Sequence, residues 1–62
     1  MDPKKLILGN EYNYHDMSGK IIRVRFMDLI STTISIYVFE TVGVDEGKQI
    51  VLSTYDVYNH IT

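Results

Sequence analysis

With no cysteine among its 62 residues, the chain can use neither a disulfide framework nor a thiolate zinc site for stability. Tryptophan is also absent, and the only proline is Pro3, near the N-terminus. No apolar run approaches the ~18 residues of a membrane span. Residues 6–8, which follow Lys4 and Lys5, are far shorter than the ~7–15-residue core of a signal peptide. The chain is therefore expected to be cytoplasmic and off the membrane. The net charge is only −2, which argues against a protein devoted to gripping phosphate backbones. A chain this short holds one domain, spanning residues 1–62, near the lower limit for an unstapled core. Self-association is an expected aid, so a homo-oligomer stays in view.

The chain does have period-two alternation rich in β-branched and aromatic residues, the mark of half-buried strands. Over residues 20–26, Ile22, Val24 and Phe26 fall on one side, with Ile21, Arg23 and Arg25 on the other. Over residues 32–40, Ile34, Ile36 and Val38 alternate with Ser35, Tyr37 and Phe39, which predicts an aliphatic inner face and an aromatic outer one. Residues 11–15 alternate Tyr12 and Tyr14 with polar neighbours, and residues 48–52 turn Ile50 and Leu52 inward. A fifth strand is expected from residues 6–8 or from the C-terminal tail. The expected core is Ile22, Val24, Phe26, Ile34, Ile36, Val38, Ile50, Leu52 and Val57.

Short connections between these runs suit a meander. Residues 15–20 and 44–48 both carry a glycine late in the segment, Gly19 and Gly47, able to take the positive φ of a hairpin turn. Residues 28–32 have no such signal, which leaves the strand register there open. After Leu52 the period changes. Ser53 is a good helix N-cap, and Asp56 occupies the third helical position, from which its carboxylate can reach back to the cap. Val57 and Ile61 are four apart and Tyr55 and Tyr58 three apart, so one or two helical turns can lay an apolar stripe over an open end of the sheet.

Residues 8–24, with Gly9 before an aromatic strand and Gly19-Lys20 closing a polar turn into a long strand, resemble the opening of Src-homology-3-like small barrels. Residues 50–58 look like their ending, a strand stepping into a helical turn. The resemblance implies an all-β, five-stranded, strongly bent antiparallel meander closed as a barrel, with a short C-terminal helical turn. It also implies a binding function. The tryptophan and proline pairing by which peptide-binding members clasp proline-rich ligands is missing here, so that specificity is not expected. Four strands followed by a helix also look like the curved single-strand-binding sheet of transcription coactivators, the alternative architecture.

Catalysis needs a nucleophile, a base and an orienting partner, and the chain offers no cysteine, two separated histidines and four serines that all suit turns, strands or caps. A non-enzyme without cofactor is expected. His15, His60 and their acidic neighbours lack metal-ligand spacing, and Asp45-Glu46-Gly47 reads as a hairpin tip, since it lacks the alternating oxygen ligands of a calcium loop. Two binding chemistries remain. Lys20, Arg23 and Arg25, set beside an outward Tyr37 and Phe39, would supply charge and stacking rings for single-stranded nucleic acid. The same apolar outer face, in a chain with five tyrosines, suits protein contact, with itself or a partner. Protein binding through Lys20, Arg23, Arg25, Tyr37 and Phe39 is the expected function. Because the chain opens on its own methionine, it reads as a free-standing gene product. In size and class it resembles accessory proteins of phages and mobile elements, some of which inhibit host complexes such as CRISPR effectors by stoichiometric binding.

Overall fold

The computed structural model describes residues 1–43 and 47–62. A 3-10 turn, η1 (Pro3–Lys5), leads into strands β1 (Glu11–His15), β2 (Ile21–Ser31), β3 (Ser35–Thr41) and β4 (Gln49–Ser53), and helix α1 (Thr54–His60) follows. The strands form one antiparallel sheet in sequence order, β1-β2-β3-β4. The protein is thus all-β with a short C-terminal helix, as expected. The expected fifth strand and barrel closure are corrected: among the described residues there are four strands, and β1 does not meet β4. Residues 6–8 are irregular, and the C-terminal tail supplies a single bridge, Tyr14 with Ile61.

Local chemistry accounts for the connections. In the β1–β2 turn, Asp16 Oδ1 accepts the Ser18 N–H (2.9 Å), the Ser18 hydroxyl (2.7 Å) and the Lys20 N–H (2.9 Å), and Gly19 adopts φ 88° to close the loop. These bonds hold the Asp16 carboxyl below the usual aspartate range, the Ser18 hydroxyl being the largest cause, followed by the backbone N–H groups and the Lys20 charge. The β3–β4 turn includes Val44, Asp45 and Glu46, which lie outside the described residues, so the hairpin tip read there is not described. At α1 the capping box is complete: the Asp56 N–H donates to Ser53 Oγ (3.1 Å) and the Ser53 N–H to Asp56 Oδ2 (3.2 Å). At the other end of the helix the Met1 amino nitrogen donates to the carbonyls of Tyr58 and Ile61, each at 3.0 Å. A cation is favourable at that negative pole.

The core lies on one face of the sheet. Tyr12, Val24, Phe26, Tyr37, Phe39 and Leu52 project from the strands, and Val57 and Ile61 close over them from α1 and the residue after it. Val24, Phe39, Val57 and Ile61 are wholly buried, and burying each such side chain contributes about 1.5–3 kcal/mol. The Phe26 and Phe39 rings, paired across β2 and β3, have centroids 5.2 Å apart. The Tyr12 hydroxyl accepts the Ile7 N–H at 2.9 Å and so fastens the segment before β1 to the sheet.

Two features correct the expected core. On β3 the faces are reversed: Tyr37 and Phe39 point inward, Ile36 and Val38 point outward and are half-buried, and Ile34 lies in the turn before the strand, 67% exposed. The physical reason is that β3 is apolar on both sides, so alternation sets no phase, and the larger rings remove more area from water. On β2 a bulge lies between Phe26 and Asp28, with Met27 the unopposed residue. Unbroken alternation would turn Asp28 inward with Phe26. The bulge sets Asp28 opposite Val38 on the outer face and Leu29 opposite Tyr37 on the inner one. Val24, Phe26, Leu52 and Val57 are buried as expected, and Ile22 and Ile50 pack against them half-buried.

Candidate binding surface

The register of the three strand pairs fixes the outer face row by row. One row reads Glu11, Arg25, Glu40 and Gln49 across β1 to β4, with Asn13 and Arg23 in the next row beyond it. This half is polar, and its arginines are paired within it. Arg23 Nε lies 3.2 Å from Glu11 Oε1 and Arg25 Nη2 lies 3.2 Å from Glu11 Oε2, so one carboxylate bridges two guanidinium groups. Arg23 Nη1 also donates to Asn13 Oδ1 at 3.1 Å. These half-exposed pairs are worth only about 0–1 kcal/mol each, yet they leave the arginines already partnered.

Toward the β2–β3 turn the same face becomes apolar. Ile30 pairs with Ile36, and Val38 pairs with Val51, which makes a slanting quartet across β2, β3 and β4. Ile30 is 44% and Val51 59% exposed, and Met27 in the bulge and Ile34 in the β2–β3 turn are exposed too. Over residues 27–39 the only charged residue is Asp28. Ile36 and Val38, between Ile30 and Val51, are half-buried, and Asp28 stands opposite Val38 in the same row; apolar residues grouped in this way differ from the single exposed apolar side chains normal to any protein. Among the described residues the surface has no concave pocket, no cluster of three metal-ligating side chains, and no helix long and apolar enough to cross a membrane.

The structure separates the binding residues expected from sequence. Arg23 and Arg25 are on the outer face of β2, and Lys20 is exposed in the turn before it. Tyr37 and Phe39 are on the opposite face, in the core. The expectation that the rings and the arginines share one surface is therefore corrected: residues paired across antiparallel strands share a face, and Phe39 pairs with Phe26, while Arg25 pairs with Glu40. The apolar quartet went unread, although the run Ile50-Val51-Leu52 carried a signal for it, because turning Ile50 and Leu52 inward leaves Val51 outward. No protein-family model, no characterised protein and no solved structure matches this chain.

Proposed function

We propose that the chain is a non-enzymatic protein-binding module that docks a partner through Ile30, Ile36, Val38 and Val51. The observation that carries this reading is the contrast within one sheet face, where Arg23 and Arg25 are paired with Glu11 while the apolar half leaves Ile30 and Val51 exposed and Ile36 and Val38 half-buried between them. Stoichiometric inhibition by occupying a partner's surface is a use this geometry suits, since it needs contact area and no chemistry. Single-stranded nucleic acid is less well served. The rings expected to stack, Tyr37 and Phe39, lie in the core, and the phosphates would compete with Glu11 for Arg23 and Arg25.

The test is affinity capture with the purified chain, with partner and stoichiometry identified by mass spectrometry, repeated with Ile30→Glu plus Ile36→Glu and with Arg23→Ala plus Arg25→Ala. Loss of the captured protein from the first variant and retention by the second is the expected result. Retention by the first, or capture that depends on the arginines and disappears with added salt, overturns the reading in favour of charge-driven contact.

A further inference from the structure

An exposed sheet edge is a ready template for another strand, and proteins guard such edges with charge, bulges, proline or covering segments. This sheet guards its edges unequally. The β1 edge is covered by the chain's own tail: the Asn13 N–H donates to the Thr62 carbonyl (3.0 Å) and the Thr62 N–H to the Asn13 carbonyl (2.9 Å). Residues 27–31 of β2 extend past β1, and that stretch carries both the Met27 bulge and Asp28. Among the described residues the β4 edge carries no charge, bulge, proline or covering strand. Gln49, Ile50, Val51, Leu52 and Ser53 are uncharged, their register with β3 is unbroken, and no strand lies beyond them among the described residues.

The backbone of β4 shows which groups that edge presents. The Thr41 N–H donates to the Lys48 carbonyl at 2.8 Å, so Lys48 faces β3. By strand alternation Ile50 and Leu52 face β3 as well, which leaves the backbone groups of Gln49 and Val51 aimed at the open side, while the Ser53 carbonyl turns into α1 as its first acceptor. The Ser53 N–H is consistent with this, because it is bonded to Asp56 Oδ2 rather than to β3. We infer that β4 pairs antiparallel with β4 of a second copy about a two-fold axis at Val51. In that register Val51 exchanges two hydrogen bonds with Val51 of the second copy, and Gln49 lies opposite the other copy's Ser53, whose carbonyl is already the first acceptor of α1. The side chains agree with the backbone. No like charges meet along the strand, and Lys48 at the start of one β4 lies beside the first helical turn of the other copy, which carries Asp56. On the outer face Val51 meets its own symmetry mate, so the two apolar quartets join into one strip over an eight-stranded sheet.

This inference concerns the edge and does not depend on the face binding a partner. The absence of native cysteine allows a register-specific test. Directly opposed hydrogen-bonded residues of antiparallel strands have Cα atoms ~5.5 Å apart, within disulfide reach. Two Gln49 residues would be ~14 Å apart, four residues out of register. Under mild oxidation Val51→Cys is expected to convert largely to a covalent dimer while Gln49→Cys stays monomeric. In sedimentation equilibrium the wild-type mass is expected to double from 7.2 kDa with rising concentration, and Val51→Lys to abolish that doubling while its circular dichroism stays that of the wild type. A wild type that is monomeric up to about millimolar concentration, with equal cross-linking of the two cysteine variants, overturns the inference. So does a dimer that survives Val51→Lys, which would place the interface elsewhere, or a β4 edge that is protected only by a different protein.

Discussion

The two faces of this sheet are built from similar residue types and have different fates. On the inner face Phe26, Tyr37, Phe39 and Leu52 are covered by α1 and Ile61. On the outer face Ile30 and Val51 are exposed, and Ile36 and Val38 are half-buried. Hydrophobicity alone does not separate the two sets. They are distinguished by where the chain goes after β4: the capping box at Ser53 starts a helix that turns back over one side only. Apolar residues on the covered side therefore stabilise the fold, and those on the open side are free to serve contact.

The sharpest way to break this comparison is to truncate one residue on each face. Phe39→Ala should cost about 3–5 kcal/mol, since a wholly buried ring is removed and a cavity remains. A chain of this size has on the order of 3–9 kcal/mol in total, so a large unfolded fraction at 25 °C is expected in chemical denaturation. Ile36→Ala, on the outward side of the same strand, should cost clearly less. Equal losses would show that the outer face is covered in solution.

A smaller effect tests the inner face at its margin. Tyr12→Phe removes the acceptor of the Ile7 N–H and leaves that part-buried donor unpaired, at a cost of about 1–3 kcal/mol in urea unfolding. If the variant is as stable as the wild type, the segment before β1 is not fastened through the hydroxyl.

The smallest effect lies on neither face. Asp16 has its folded pKa lowered by the Ser18 and Lys20 bonds, so its contribution to stability is present above the ordinary aspartate range and is lost as the pH falls through the folded value. Asp16→Asn should therefore be less stable than the wild type at neutral pH, and the difference should shrink in acid. A difference independent of pH would mean that the turn uses the side chain as an acceptor only, without its charge.

Much of the fold was legible in the sequence because it rests on local chemistry. β1 occupies residues 11–15 as the alternation indicates, and the Asp16 turn, Gly19 and the Ser53–Asp56 cap act within a few residues of themselves. The candidate site was less legible. β3 is apolar on both faces, so alternation equally allows Tyr37 and Phe39 to point outward, beside Arg23 and Arg25. The shift of register at Met27 has no glycine or proline to announce it, and it is what sends Asp28 outward and sets Leu29 opposite Tyr37.

The sequence by itself determined an all-β chain with a terminal helical turn, because strand alternation, turn residues and caps are properties of neighbouring positions. Only the tertiary structure decided which side of the sheet became the core, that the sheet has four strands among the described residues, and that the tail paired with β1 rather than with β4. Those outcomes depend on which surfaces compete for one helix and one tail. That competition is settled by burying the largest apolar area across residues far apart in the chain, and no local pattern records it.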